Sequence, residues 1–367
     1  MRVIPMWLAV AVLAACGEMP NPDDGGTGGG SGGGVTSTGG GSGGGSAEVD
    51  AGAGLANLCG YSYSALNASA SVNATSTVSW TCTATTRSVA SNGLPDHEVG
   101  TFPNANCPNT IRSYTVAASM PLAPVNTGTA SSIGVVGYAY NGVKFDPGTA
   151  GSCSATACTL VGNTGSWNIE ALGQSSFNFG VDSSNAHVQP SGEYHYHGMP
   201  EGAVTRLARG QAMTLVGYAL DGFPVYARYG YSTATDASSA VKVMTGSYRL
   251  KATADTGRPS TSTYPMGAFR QDYEYVAGLG DLDECNGRTG VTPEFPSGTY
   301  HYFITDSYPF IQRCVKGTAT GGMTMGPTDG GTTMGPPACM PGQTSMCCGD
   351  GTCGGPETHD NCAADCP

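Results

Sequence analysis

Pro190-Ser191-Gly192-Glu193-Tyr194-His195-Tyr196-His197-Gly198 is the stretch on which the reading of this chain turns. Pro-Ser-Gly has the composition of a turn, and the alternation after it has the period of a strand. Residues two apart on a strand share a face, so His195 and His197 are expected on one side and Tyr194 and Tyr196 on the other. Two imidazoles side by side make a chelate for a transition metal. These are two of only six histidines in the whole chain, so their adjacency is the chemical feature to explain.

A second copy follows downstream as Pro296-Ser297-Gly298-Thr299-Tyr300-His301-Tyr302-Phe303, with Phe303 at the place of His197. Further upstream, Val136-Gly137-Tyr138-Ala139-Tyr140-Asn141-Gly142 is echoed by Val216-Gly217-Tyr218-Ala219-Leu220-Asp221-Gly222. Between the members of each pair lies an Asp-x-x-Asn, first Asp182 to Asn185 and then Asp283 to Asn286. Three short motifs in the same order twice over indicate an internal duplication within one domain. The two halves are expected to be related by an approximate two-fold axis. Because duplicated halves commonly pack with equivalent strands close together, His301 is expected near His195. Asn141-Gly142 and Asp221-Gly222 favour positive φ, so each Val-Gly-Tyr-Ala copy should enter a tight hairpin.

At these residues the chain resembles the bacterial YHYH-domain family, named for the tetrad that here is Tyr194 to His197. The resemblance runs from about Gly93-Leu94-Pro95-Asp96-His97, through Asn185-Ala186-His187-Val188-Gln189-Pro190 and Gly217-Tyr218-Ala219-Leu220-Asp221-Gly222-Phe223-Pro224, to Leu282-Asp283-Glu284-Cys285-Asn286-Gly287 and Tyr300-His301-Tyr302. It covers most of the central domain and brings no catalytic residue with it.

Residues 1–15 carry one Arg and a short apolar run ending in Leu13-Ala14-Ala15-Cys16, the pattern of a bacterial lipoprotein signal in which Cys16 becomes the lipidated first residue. The mature protein is therefore expected to be exported and held at a bacterial membrane, at the cell surface or in the periplasm, by lipid and not by a spanning helix. Residues 16–54 hold the lipidated Cys and a Gly/Ser-rich linker with no apolar periodicity, a flexible tether reaching roughly 30 to 35 Å. Residues 55–317 alternate short apolar runs with Gly, Asn, Asp, Ser and Pro, which reads as a mainly β domain, β-sandwich-like or barrel-like, without a long helix. A Gly/Thr/Met/Pro linker over 318–337 leads to a Cys-rich module over 338–367.

A net charge of −12 with 11% charged residues leaves no basic stripe for phosphates, so a nucleic-acid partner is not expected. Export makes the cysteines disulfide candidates first. The tail holds Cys339, Cys347, Cys348, Cys353, Cys362 and Cys366, too small a module to hold together without bridges. Asp350, Asp360 and Asp365 there are oxygen donors for Ca²⁺ or simply a solvated acidic loop. In the central domain, proximity pairs Cys153 with Cys158, Cys285 with Cys314 and Cys82 with Cys107, leaving Cys59 over.

His97, His187, His195, His197 and His301 fall within the stretches that carry the resemblance, and His359 lies in the tail. With few free thiolates on offer, imidazoles are the natural ligands, which suits Cu or Zn. The expected site is His195 and His197 with His187, His301 or His97 as third ligand. The rival reading packs these rings among the tyrosines as structure. Asp221, Asp182, Asp283 and Glu193 are candidate ligands or acid-base groups; Asp before Gly and Asp-x-x-Asn are equally turn formers. Three functions follow: a transition-metal-binding surface lipoprotein for sequestration, delivery or structure; a metal-dependent extracellular enzyme; or a metal-free adhesion or glycan-binding module using exposed tyrosines. No Gly-x-Ser-x-Gly elbow, His-Glu-x-x-His, phosphate loop or dinucleotide fingerprint occurs.

Overall fold

Alternating side chains and turn-forming punctuation give two main sheets in the computed structural model, which describes residues 57–319. Four consecutive strands, Ser62–Asn67, Ala74–Cys82, Thr86–Ser91 and Val116–Pro121, form an antiparallel meander. The second sheet has eight strands in the spatial order Ala186–Val188, Tyr194–Tyr196, Lys144–Phe145, Gly137–Ala139, Thr214–Ala219, Pro224–Ala227, Thr299–Ile304, Gly287–Gly290. One continuous core joins the two sheets, with Val78, Trp80, Val89 and Met120 of the first buried together with Phe145, Tyr196, Tyr218 and Phe303 of the second. Trp80 Nε1 donates to the Tyr140 carbonyl at 2.8 Å, so the meander is also latched to the larger sheet by a buried hydrogen bond. The eight-stranded sheet ends in two edge strands, so the domain is sandwich-like and the barrel alternative is set aside. A seven-residue helix, Glu201–Leu207, is the one α-helix among the described residues.

The order of the eight strands is palindromic with respect to the repeat. Its centre is the antiparallel pair Gly137–Ala139 with Thr214–Ala219, in which Tyr138 faces Tyr218, Gly137 faces Ala219 and Ala139 faces Gly217. Outward on both sides come the strand after the hairpin, the Tyr-His-Tyr strand joined to it in parallel, and the strand after the Asp-x-x-Asn as the edge. The backbone bonds obey the same symmetry: Tyr140 N donates to Val216 O at 2.8 Å and Leu220 N to Val136 O at 2.9 Å. The eight-stranded sheet is thus an internal duplication about a two-fold axis through the Tyr138–Tyr218 pair.

The hairpin turns differ from the sequence expectation in detail. Only Gly142 (φ 79°) and Gly222 (φ 91°) take positive φ; Asn141 and Asp221 do not. Gly142 N donates to Ala139 O and Gly222 N to Ala219 O, which makes each a three-residue turn whose last residue is the left-handed glycine.

Disulfides join Cys153 to Cys158 and Cys285 to Cys314. The pairing of Cys82 with Cys107 is wrong: Cys82 is bonded to Cys59, and Cys107 is a buried thiol. The reason is register. Ser62 faces Ser79 and each step outward on one strand matches a step on the other, so Cys59 falls opposite Cys82 with 5.2 Å between Cα atoms. The signal peptide, Cys16, the linkers over 16–54 and 320–337, and the Cys-rich module with Cys339, Cys347, Cys348, Cys353, Cys362 and Cys366, Asp350, Asp360, Asp365 and His359 lie outside the described residues.

Candidate metal centre

The hairpin built on Pro190-Ser191-Gly192 places the chemistry. Gly192 closes the turn with φ 92° and donates to Gln189 O at 2.8 Å, which sets Ala186–Val188 antiparallel to Tyr194–Tyr196. In that register His187 lies directly opposite His195, and cross-strand partners share a face. His197 follows two residues later, held by its backbone N–H to Asn185 O at 2.8 Å.

The result is a near-equilateral triangle of imidazoles: His187 to His195, His187 to His197 and His195 to His197 each have ring centroids 4.7 Å apart. One nitrogen from each ring lies within 4.8 Å of those of the other two, so these three residues can hold a metal ion. Two tetrahedral ligands at about 2.0 to 2.1 Å from one ion stand about 3.3 Å apart. The Nε2 atoms of His187 and His197 are 3.0 Å apart, close to that separation. Two lone pairs that near each other require a proton or a cation between them. His187 Nδ1 donates to Phe179 O at 2.8 Å, which in the neutral ring fixes the proton on Nδ1 and turns the Nε2 lone pair toward the triangle. His197 Nδ1 is buried with no partner.

Beside the triangle stands a group the sequence did not disclose. Lys144 is paired with His195 across a parallel ladder and is itself buried. Its ammonium meets Glu193 at 2.9 Å, Gln189 at 3.0 Å and Asp146 at 3.3 Å. Glu193 is therefore an ion-pair partner next to the site and stands outside the imidazole cluster.

The other candidates lie elsewhere. His97 is on the tyrosine side, with Nε2 at 2.7 Å from Tyr196 OH and Nδ1 at 2.8 Å from Glu98 O. His301 is not near His195. Their strands are second and seventh in the sheet, and five spacings of about 4.8 Å put them about 24 Å apart. The halves join through their Val-Gly-Tyr-Ala strands, which carries the two Tyr-His-Tyr strands outward instead of together. Asp182 accepts from Ser184 N at 2.9 Å and Tyr194 OH at 2.7 Å; Asp283 accepts from Cys285 N at 2.9 Å and Tyr300 OH at 2.8 Å. Asp221 accepts from Tyr302 OH at 2.6 Å and Gly317 N at 2.9 Å. All three aspartates brace turns and tyrosines, and none joins the triangle. Tyr194, Tyr196, Tyr300 and Tyr302 are buried, so they offer no exposed surface to a glycan.

A family model described as YHYH protein matches residues 113–317, more than half of the 367-residue chain. The chain belongs to the YHYH family. The matched segment contains His187, His195, His197 and His301 but begins after His97, so the resemblance is shorter at its N-terminal end than the sequence motifs implied. No curated protein and no solved structure matches the chain.

Burial holds the four imidazoles of the matched YHYH segment, His187, His195, His197 and His301, neutral. It pushes His195 well below the ordinary value, helped by His187 and Lys144, and His197 likewise, helped by His195 and His187; His187 is lowered by burial as well. His301 is pushed down to about 4 by burial and by Arg288. The unfolded chain takes up these protons near pH 6.5 and the fold resists them. Stability of the metal-free protein should therefore be complete above about pH 6.5 and be lost as pH falls from there through the folded values, to about 4 for His301. His301 alone contributes on the order of 3 kcal/mol to that loss. Melting temperatures between pH 7 and 4 test it: a flat profile would mean that these rings are not buried neutral.

Proposed function

We propose that this is an exported bacterial lipoprotein, anchored through Cys16, whose YHYH domain takes one Cu or Zn ion on His187, His195 and His197 for sequestration, delivery or structure. The observation that carries the reading is the triangle itself: three neutral imidazoles with ligand atoms within 4.8 Å, two of them almost wholly buried. Neutral rings are ligands without prior loss of a proton, and their burial disfavours loss of the ion to solvent. Imidazole without thiolate suits both Cu and Zn.

Equilibrium dialysis of the full chain against Zn²⁺ or Cu²⁺, with metal analysis, is the direct test. One equivalent is expected, and His195→Ala should hold none; absence of binding by the unaltered chain removes the proposal. The metal-dependent enzyme is the second reading, favoured by one feature: three protein ligands leave a tetrahedral ion one position for water or substrate. An extended X-ray absorption spectrum of the loaded protein separates the two, since a fourth oxygen shell from an exchangeable water supports the enzyme and a closed nitrogen shell does not.

The anchor is tested separately. The mature protein should begin at Cys16 and partition with membranes, and Cys16→Ser should release it or leave an unprocessed precursor. Unchanged membrane association in that variant would count against lipidation.

A further inference from the structure

The two-fold axis carries every part of the triangle onto a residue of the second half, and the residues found there have a chemistry of their own. His195 maps to His301, and His187, which faces it, maps to Arg288, which faces His301. His197, next after Tyr196, maps to Phe303, next after Tyr302; Asp146, next after Phe145, maps to Tyr226, next after Val225. The scaffold is kept: Asn286 has φ 58° as Asn185 has 54°, and Phe303 N donates to Asn286 O at 2.9 Å as His197 N does to Asn185 O. His301 Nδ1 lies 3.0 Å from Thr299 O, the counterpart of His195 Nδ1 at 3.3 Å from Glu193 O. That contact turns the His301 Nε2 lone pair toward the place that the triangle surrounds in the first half, and this Nε2 is buried with no partner.

We propose that the second half is the same metal site closed from within, with the Arg288 guanidinium putting a fixed positive charge beside the place where the first half takes an ion. Arg288 reaches across the face of the sheet, its guanidinium carbon 5.4 Å from the Phe303 ring centroid and one of its terminal nitrogens donating to Tyr231 O at 2.7 Å. Phe303 and Tyr226 fill the remaining space, with ring centroids 5.2 Å and 5.5 Å from His301. A guanidinium stays protonated near neutral pH even where burial lowers it, as it does Arg288, so this half keeps its charge there and needs no ion from outside. The eight-stranded sheet therefore binds one ion and not two, and the asymmetry comes from Arg288, Phe303 and Tyr226 on an otherwise matching backbone frame.

The inference rests on the triangle being a metal site, and the experiment separates the two. The full chain and its Arg288→His/Phe303→His variant are dialysed against Zn²⁺ and analysed for metal, with circular dichroism to establish folding. One equivalent is expected for the unaltered chain and two for the variant, one of which survives addition of His195→Ala. A folded variant that holds no more ion than the unaltered chain overturns the proposal, as does an unaltered chain that already holds two. An unaltered chain that holds none overturns both readings, whatever the variant holds, whereas one equivalent in both chains overturns this one alone. Should the double variant not fold, Arg288→His alone presents two imidazoles and should take a second Zn²⁺ at least about tenfold more weakly than the first; no second binding then overturns the proposal.

Discussion

Replacing His197 with phenylalanine should abolish the stabilisation that a metal ion gives while leaving the metal-free protein at least as stable as before. The triangle has three members, and two imidazoles hold an ion far less well than three; loss of an outer-sphere partner alone lowers affinity about 10- to 100-fold, so loss of a ligand should exceed that. In the metal-free state His197 is an expense, because its Nδ1 is buried without a partner, and such a group costs about 1 to 3 kcal/mol. Phe303 shows that a phenyl ring fits the equivalent place on the same scaffold, fully buried. An ion at a hundred times its dissociation constant contributes about 2.7 kcal/mol, which for a domain of this size is about 5 to 10 °C in Tm. Melting curves with and without Zn²⁺ should therefore separate by that amount in the unaltered chain and coincide in His197→Phe. A persistent metal-dependent shift in the variant would mean that His197 is not a ligand.

Much of the site was legible because it is local. A turn centred on Ser191 puts positions 187 and 195 equally far from it, so the third imidazole follows from hairpin register alone, although sequence left His187 beside His301 and His97 as alternatives. The duplication was legible for the same reason, since each motif is a short run. Its arrangement was not. Repeats specify what each half contains but not which edge the halves share, and joining at the Val-Gly-Tyr-Ala strands instead of the Tyr-His-Tyr strands moved His301 to the far side of the sheet. Lys144 stands beside His195 only through a parallel pairing 51 positions apart, which no local period announces. The disulfide error is a matter of small margins: Cys59 and Cys82 are 23 apart and Cys82 and Cys107 are 25 apart, so spacing could not choose and strand register did.

Gly217→Ala should be among the most damaging single substitutions in the domain, at a site remote from the imidazoles. Gly217 faces Ala139 across the central strand pair, and a Cβ on it would lie 2.2 Å from Tyr138 O and 2.8 Å from Ala139 Cα. Its two-fold mate Gly137 is in the same position, with a Cβ 2.4 Å from Tyr218 O and 2.8 Å from Ala219 Cα. Neither has positive φ, so the requirement is for space and not for backbone conformation. Both obstacles are backbone atoms of the partner strand, which cannot swing aside as a side chain does. The methyl group must push apart the seam that joins the two halves, and with it the ladder on which both depend. Losses above about 4 kcal/mol come from such overpacking, against a total stability of about 5 to 15 kcal/mol for a domain. Because the axis makes the two sites equivalent, Gly137→Ala should cost about as much as Gly217→Ala. Gly148→Ala, where the nearest heavy atom to the new Cβ is 4.0 Å away, should stay within about 0.5 kcal/mol of the unaltered protein. Urea unfolding of the three variants decides the matter: equal, large losses at 137 and 217 are what a two-fold seam requires, and a neutral result at either position would mean that the halves do not meet there.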